Sequence, residues 1–262
     1  MIGALLPETV GAVEAFDDTE SALLFPGEEA LVAGAVENRR REFATARRCA
    51  RQALATLGHP PTAILSGLSR EPLWPMGIVG SITHCAGYRA AAVAHDTDLL
   101  TVGIDAEPHE PLPGGVLETI ALPREIDRLR ALRHHDRAIC WDRLLFCAKE
   151  AVFKAWYPIT RRWLDFSEAD IELGPAGFIA TLLVSGPRHG NRTLSTLTGR
   201  YAVGRGLVLA VIAVARDEET GASVSAAPGR LHRGGPVRDR APFRADPGKE
   251  LAPPPGARGR LR

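Results

Sequence analysis

Lysine is nearly missing from this chain, which has three against 29 arginines. Where a plain positive charge suffices the sequence uses Arg, so a Lys marks a place that needs a compact ammonium on a flexible stem. Cysteine is sparse as well: Cys49, Cys85, Cys140 and Cys147 stand at irregular spacings with no Cys-x-x-Cys pair. That argues against a zinc site and a disulfide framework, and it fits a reduced cytoplasmic compartment. A net charge of +1 gives no reason to expect nucleic acid or an anionic membrane, so any basic site must be local. Apolar runs such as Gly206 to Val214 fall short of a membrane span. Between Met1 and Phe16 there is no Lys or Arg, which does not read as a signal peptide. A Gly-x-x-x-x-Gly-Lys loop is also missing, which removes the commonest nucleotide-phosphate cradle.

What is present divides into three stretches. Residues 1–115 form a first half and 116–216 a second, separated by the loop Pro108-His-Glu-Pro-Leu-Pro-Gly-Gly115. From 217 to 262 the chain has seven Pro, seven Gly and almost no large apolar residues. Such a tail cannot bury enough surface to offset its ordering entropy, so disorder is expected there. Val36 to Leu57 reads as a helix, with Gly58 as its C-cap signal and Pro60-Pro61 as a stop. Ile78 to His84 and Thr101 to Glu107 alternate and are rich in β-branched residues, so they read as strands. Trp141 to Trp156 reads as a second helix, ended at Tyr157-Pro158, and strands are expected at Phe178 to Val184 and Leu207 to Val214. Helices and strands mix without regular βαβ alternation, which favours the α+β class.

Two of the three lysines lie five residues apart on the second helix, at Lys149 and Lys154. At about 100° per residue, Trp141, Leu144, Leu145, Ala148, Val152, Ala155 and Trp156 share the core face. Lys149 sits at the edge of that stripe, and Glu150 with Lys154 lies on the other side. By themselves these two equally fit a solvated i,i+4 pair worth about 0.3 kcal/mol. In Thr101-Val-Gly-Ile-Asp-Ala-Glu107, period two sets Gly103, Asp105 and Glu107 on one strand face. Two such carboxylates repel unless a cation lies between them, and Gly103 leaves room for close approach by a ligand. A hard, oxygen-bound cation, Mg²⁺ before Ca²⁺, fits that pair; two solvated acids at a strand end are the alternative. On the first helix Arg47 projects among Val36, Phe43, Ala50 and Leu54, with Arg39 near the same side. A guanidinium there needs an anion or a carboxylate partner, or a stem long enough to return its charge to water. Arg40, Arg41, Arg48 and Arg51 fall on solvated faces. Ser81, Thr83 and His84 close a strand with groups able to hold phosphate, whereas His134-His135 lies in a charged, solvated stretch.

Four motifs carry a resemblance: Arg40-Arg-Glu-Phe-Ala-Thr-Ala-Arg47, Trp74-Pro followed by Gly-Ser-Ile-Thr-His84, Gly103-Ile-Asp-Ala-Glu107, and Trp141 followed by Lys149-Glu-Ala-Val-Phe-Lys154. In this order and spacing, from about Ala35 to Val214, they resemble the 4′-phosphopantetheinyl transferase superfamily, in its monomeric bacterial group and nearest the mycobacterial type. The resemblance implies two similar α/β halves related by a pseudo-twofold, with coenzyme A bound between them. It implies an Mg²⁺-dependent transfer of phosphopantetheine to a serine of apo acyl or peptidyl carrier proteins. Asp105, Glu107 and Glu150, with the Ala106 carbonyl, would hold the metal. Lys149, Lys154 and the metal-bound Asp105 would meet the diphosphate of coenzyme A, and Arg39, Arg47, Thr83 and His84 its other phosphates. Glu150 and Lys154 would serve catalysis. Near Ile64 to Arg70 the family pattern leads one to expect a lysine; this chain has Ser66, Ser69 and Arg70. Apolar residues at 116–117 and 120–122 are expected to dock the carrier. A non-catalytic binder of coenzyme A or of a carrier protein is the rival from another class; a different Mg²⁺-dependent nucleotide phosphotransferase is a third reading.

Overall fold

The computed structural model describes residues 1–19, 22–175, 177–189 and 192–216; the tail expected to be disordered, 217–262, lies outside them. Along the chain run β1 (Gly11–Ala15), α1 (Pro26–Leu31), α2 (Glu37–Thr56), β2 (Ile78–Cys85), β3 (Tyr88–His95) and β4 (Leu99–Pro108). After the Pro/Gly loop come α3 (Val116–Ile120), α4 (Pro123–His135), α5 (Trp141–Thr160), β5 (Ala169–Gly174), β6 (Gly177–Leu182), β7 (Arg188–His189), β8 (Arg192–Thr193), β9 (Thr196–Gly204) and β10 (Leu207–Ala215). A three-stranded sheet in the order β1-β3-β2 and a five-stranded sheet in the order β4-β10-β9-β6-β5 hold most of the strands. Every pairing among the described residues is antiparallel. Mixed α and β structure without parallel crossovers is the α+β class expected from the sequence.

α2 forms where its apolar spacing predicts. Cys49, Ala50, Ala53 and Leu54 bury against Ala91 and Val93 of β3 together with Ile64 and Ile78. It ends as the glycine signal requires: Gly58 takes φ +80, and the His59 N–H donates to the Leu54 carbonyl at 3.1 Å. α5 buries Leu144, Leu145, Val152 and Trp156 in the largest core cluster, against Ile171, Phe178, Val208 and Ile212; each such side chain contributes about 1.5–3 kcal/mol. Its end differs from the sequence expectation. Pro158 lies inside the helix, which runs to Thr160 and is capped by Arg161 at φ 54. A proline this close to the end removes one hydrogen bond, to Lys154, while the Arg161 N–H still reaches the Tyr157 carbonyl at 2.8 Å.

The two sheets meet at β2 and β4 without a backbone ladder. The Ser81 hydroxyl accepts from the Ile104 N–H, and the Thr83 hydroxyl accepts from the Ala106 N–H, each at 3.1 Å. β4's other edge is paired with β10, Asp105 opposite Ala210 and Glu107 opposite Val208. Hydroxyls thus do for the open edge of β4 what a neighbouring strand's carbonyls would do. The Ser81 hydroxyl, read from the sequence as able to hold phosphate, thus also joins β2 to β4.

Candidate active site

β4 is buried on both faces. Val102, Ile104 and Ala106 enter an apolar cluster with Tyr88, Leu209 and Val211, and Gly103 on the opposite face lies against α5. A Cβ at Gly103 would sit 2.1 Å from the Ala151 carbonyl oxygen and 2.7 Å from the Ala155 nitrogen. The close approach that Gly103 permits is therefore that of a helix backbone, which corrects the expectation of space for a ligand beside it. The Thr101 hydroxyl donates to the Ala155 carbonyl at 2.8 Å and fixes the same contact.

With α5 lying directly on β4, side chains on the helix flank reach the strand's acids. Asp105 is fully buried; its Oδ1 accepts from Lys154 Nζ at 2.8 Å and from the Thr83 hydroxyl at 3.0 Å. Lys154 Nζ also donates to the Ile104 carbonyl at 3.2 Å, and its side chain keeps 24% exposure. Glu107, also buried, takes Arg143 at 3.3 Å. Arg143, Glu150 and Lys154 fall at i, i+7 and i+11, so they share one stripe of α5. Glu150 is half-buried and sits on that stripe between the two residues that touch Glu107 and Asp105. Ala106 points its side chain to the opposite face. Among the described residues no three His, Cys, Asp or Glu side chains are gathered closely enough to hold a metal; Asp105 and Glu107 are instead matched with Lys154 and Arg143.

Lys149 is not part of this group. It is buried, and its ammonium meets Glu125 Oε2 at 3.0 Å, the Phe166 carbonyl at 2.7 Å and the Ala169 carbonyl at 2.8 Å. Burial pushes its pKa below the ordinary lysine value, with Glu125 opposing that. The edge of the apolar stripe, where the sequence sets Lys149, is here the buried edge.

A second group lies on α2 and β2. Arg39 Nη1 is 3.0 Å from His84 Nε2 and 3.2 Å from Nδ1, and it meets Glu42 at 3.3 Å. His84 directly follows Thr83, so β2 links this group to Asp105. Arg47 is buried as its place on the apolar side demands; its guanidinium stacks 4.2 Å over the Phe43 ring and donates to the Ser66 hydroxyl at 3.2 Å. Among the described residues no carboxylate lies within ion-pair distance of Arg47, and its Nε has no hydrogen-bond partner. Burial, then Arg51 and Arg39, lower its pKa to about 10 against an opposing pull from Glu28, so the group stays charged at neutral pH. The opposite charge nearest to it, Glu28, is already bonded to Arg51, so the burial of this cation is left without an ion pair of its own.

Several neighbours were not read from the sequence. Arg51 is not solvated: it is bonded to the fully buried Glu28 by two contacts of 2.8 Å, a position its i+4 spacing from Arg47 signals. Arg143 was legible in the same way, seven residues before Glu150. Ser69 donates to the Tyr157 hydroxyl at 2.7 Å, and Arg70 adopts φ 65 in the turn beside it. Of the residues expected to dock a carrier, Ile120 is buried and Leu117 packs on the core. His134 and His135 are exposed, as expected.

Paired acids with an ammonium at a helix–strand contact, joined through one strand to a group of cationic side chains on α2 and β2, mark an α+β protein with a charged candidate site. The comparisons give that class its family. Residues 27–94 match the model of the 4′-phosphopantetheinyl transferase N-terminal domain, and residues 101–211 match that of the 4′-phosphopantetheinyl transferase superfamily. The chain belongs to the 4′-phosphopantetheinyl transferase superfamily. It is 52% identical over 225 residues to the 4′-phosphopantetheinyl transferase Svp of Streptomyces mobaraensis, covering 84% of this chain and 92% of that protein. It is 48% identical to the transferase Npt of Nocardia iowensis, covering 82% and 100%, and 47% identical to PptT of Mycobacterium tuberculosis, covering 81% and 97%.

Proposed function

We propose that this enzyme moves the 4′-phosphopantetheine arm of coenzyme A onto a serine of an apo acyl or peptidyl carrier protein, as a cytoplasmic monomer. The serine oxygen forms a bond to the β-phosphorus, the bond from that phosphorus to the bridging oxygen breaks, and 3′,5′-ADP leaves. The observation that carries this reading is the convergence on one carboxylate: Asp105 accepts from Thr83 of the Ser-Ile-Thr-His stretch and from Lys154 of the Lys-Glu stretch. Arg39 and His84, in contact with each other, and the buried Arg47 supply the positive pocket for the 3′-phosphate.

Asp105, Glu107 and Glu150 offer only anionic oxygen, the donor chemistry of a hard divalent ion, and the first two already lie against cationic groups. Their donor chemistry suits Mg²⁺, although their side chains are not drawn together around one point: these three, with the Ala106 carbonyl, would hold it, and when bound it would neutralise charge on the diphosphate. Lys154, partly exposed beside Asp105, orients and neutralises the same diphosphate as a point charge. A Glu150 carboxylate oxygen takes the serine proton; ligation of the metal alone is its alternative role. Such transfers depend mostly on positioning and charge neutralisation.

No helix among the described residues is long and apolar enough to cross a membrane. Incubating the protein with coenzyme A, Mg²⁺ and a panel of apo carrier proteins, followed by mass spectrometry, tests the proposal. A gain of the phosphopantetheine mass on the carrier serine is expected. Tight coenzyme A binding with no mass gain on any carrier would favour the non-catalytic binder.

A further inference from the structure

The family motif sets Lys149 and Lys154 as a matched pair, but their surroundings divide them. Lys154 is partly exposed at Asp105. Lys149 is buried and gives its three N–H donors to acceptors on three segments: Glu125 of α4, Phe166 in the turn before β5, and Ala169 at the start of β5. Its partner is as fully engaged. Glu125 Oε2 also accepts from the Leu122 N–H at 2.7 Å, closing the start of α4, and Oε1 accepts from the Ile171 N–H of β5 at 2.6 Å. An ammonium delivers three diverging bonds from one point, which a planar guanidinium cannot. This accounts for a lysine here in a chain that otherwise uses arginine. No donor remains for a ligand.

Lys149 immediately precedes Glu150, and adjacent helix residues point about 100° apart. Fixing Lys149 into the core at three points therefore fixes the rotation of α5 about its axis. That rotation sends Glu150 to the flank from which Arg143 and Lys154 reach Glu107 and Asp105. We infer that Lys149 and Glu125 act together as positioning residues for Glu150, and that Lys149 does not touch coenzyme A. This rests on the reading of Glu150 as metal ligand and proton acceptor.

The test uses the full chain and three variants, Lys149→Met, Glu125→Gln and the double variant. Each is measured by steady-state transfer with coenzyme A and Mg²⁺ varied separately, by thermal melting, and by calorimetric titration with coenzyme A. The inference predicts that both single variants lower kcat and raise half-saturating Mg²⁺ by about tenfold or more, the usual effect of losing a group that orients a metal ligand. It predicts a KM and a calorimetric affinity for coenzyme A within about twofold of wild type, because α2 and β2 are untouched and Lys154 keeps its own bonds to Asp105 and the Ile104 carbonyl, and losses that do not add in the double variant. A KM for coenzyme A raised about tenfold by Lys149→Met, with Glu125→Gln behaving as wild type, would overturn it and return Lys149 to the diphosphate. Should Lys149→Met fail to fold, Glu125→Gln and the double variant still decide by the same split. Should wild type modify no carrier, the proposed function fails separately; non-additive melting with unchanged coenzyme A affinity would still uphold the pair, and lost affinity in Lys149→Met alone would still overturn it.

Discussion

Arg47 is held at 5% exposure with one hydroxyl and one aromatic face for partners, and that arrangement makes a paired prediction. Replacing a buried charge that lacks an ion-pair partner by an apolar side chain of similar length removes its desolvation cost. Arg47→Met is therefore expected to melt at or above the wild-type temperature without ligand. Its KM for coenzyme A should rise by about tenfold or more, ~1.4 kcal/mol of lost binding, and with 3′-dephospho-coenzyme A the difference from wild type should shrink. A lower melting temperature with unchanged KM would make Arg47 a structural residue. Lys154 allows a complementary test, because its Nζ serves the Ile104 carbonyl and Asp105 Oδ1 from one point. Lys154→Arg keeps the charge but not that geometry, so kcat should fall by about tenfold or more. Full activity in that variant would discard the point-charge argument. At this scale the sequence made Arg47, Lys154 and Asp105 legible, because rare residue types and period-two spacing mark them. It could not separate Lys149 from Lys154: which side of a helix edge is buried depends on α4 and β5, and Glu125, 24 positions earlier in the chain, carries a helix-capping signal that says nothing of a partner on α5.

α5 on β4 is the element-level feature on which the site depends. Gly103 has no Cβ, and the Ala151 carbonyl occupies the place one would take. In Gly103→Ala the helix must lift from the strand, since the atom in the way is backbone. That overpacking should cost about 3 kcal/mol, a fall in melting temperature of roughly 6–12 °C for a chain of this size. Turnover should fall with it, as Lys154 leaves Asp105. A variant with wild-type melting and turnover would show that the contact is looser than the geometry requires. α2, α5 and β4 were readable because strong periodicity, and at α2 a glycine cap signal, fixed them. β3 was not: Tyr88-Arg-Ala-Ala-Ala-Val-Ala-His95 is buried between β1 and β2, so it shows no alternation, and alanine is a weak strand former. α5 runs past Pro158 because a proline in the last turn removes a bond the helix can spare. α4 carried readable signals, Pro123 at its start and Glu125 as its capping acid, which the charged run after them concealed.

At the scale of the molecule, the charge groups come from both sheet layers and meet through β2. Thr83 touches Asp105, and His84, the next residue, touches Arg39. Family models cover both stretches, 27–94 and 101–211, in agreement with the order of the four motifs along the sequence. What spacing alone did not reveal is that Ser81 and Thr83 hydroxyls stitch β4 to β2, so a polar strand end that looks like a ligand site is also the seam of the fold.

The central claim is that acids from β4 and α5 share one divalent ion. It is tested most directly by calorimetric titration of Mg²⁺ into the coenzyme A complex of wild type, Asp105→Asn and Glu150→Gln. The account predicts one Mg²⁺ per wild-type chain, with affinity reduced by about tenfold or more in each variant while both still bind coenzyme A. Wild-type Mg²⁺ affinity in either variant would contradict it.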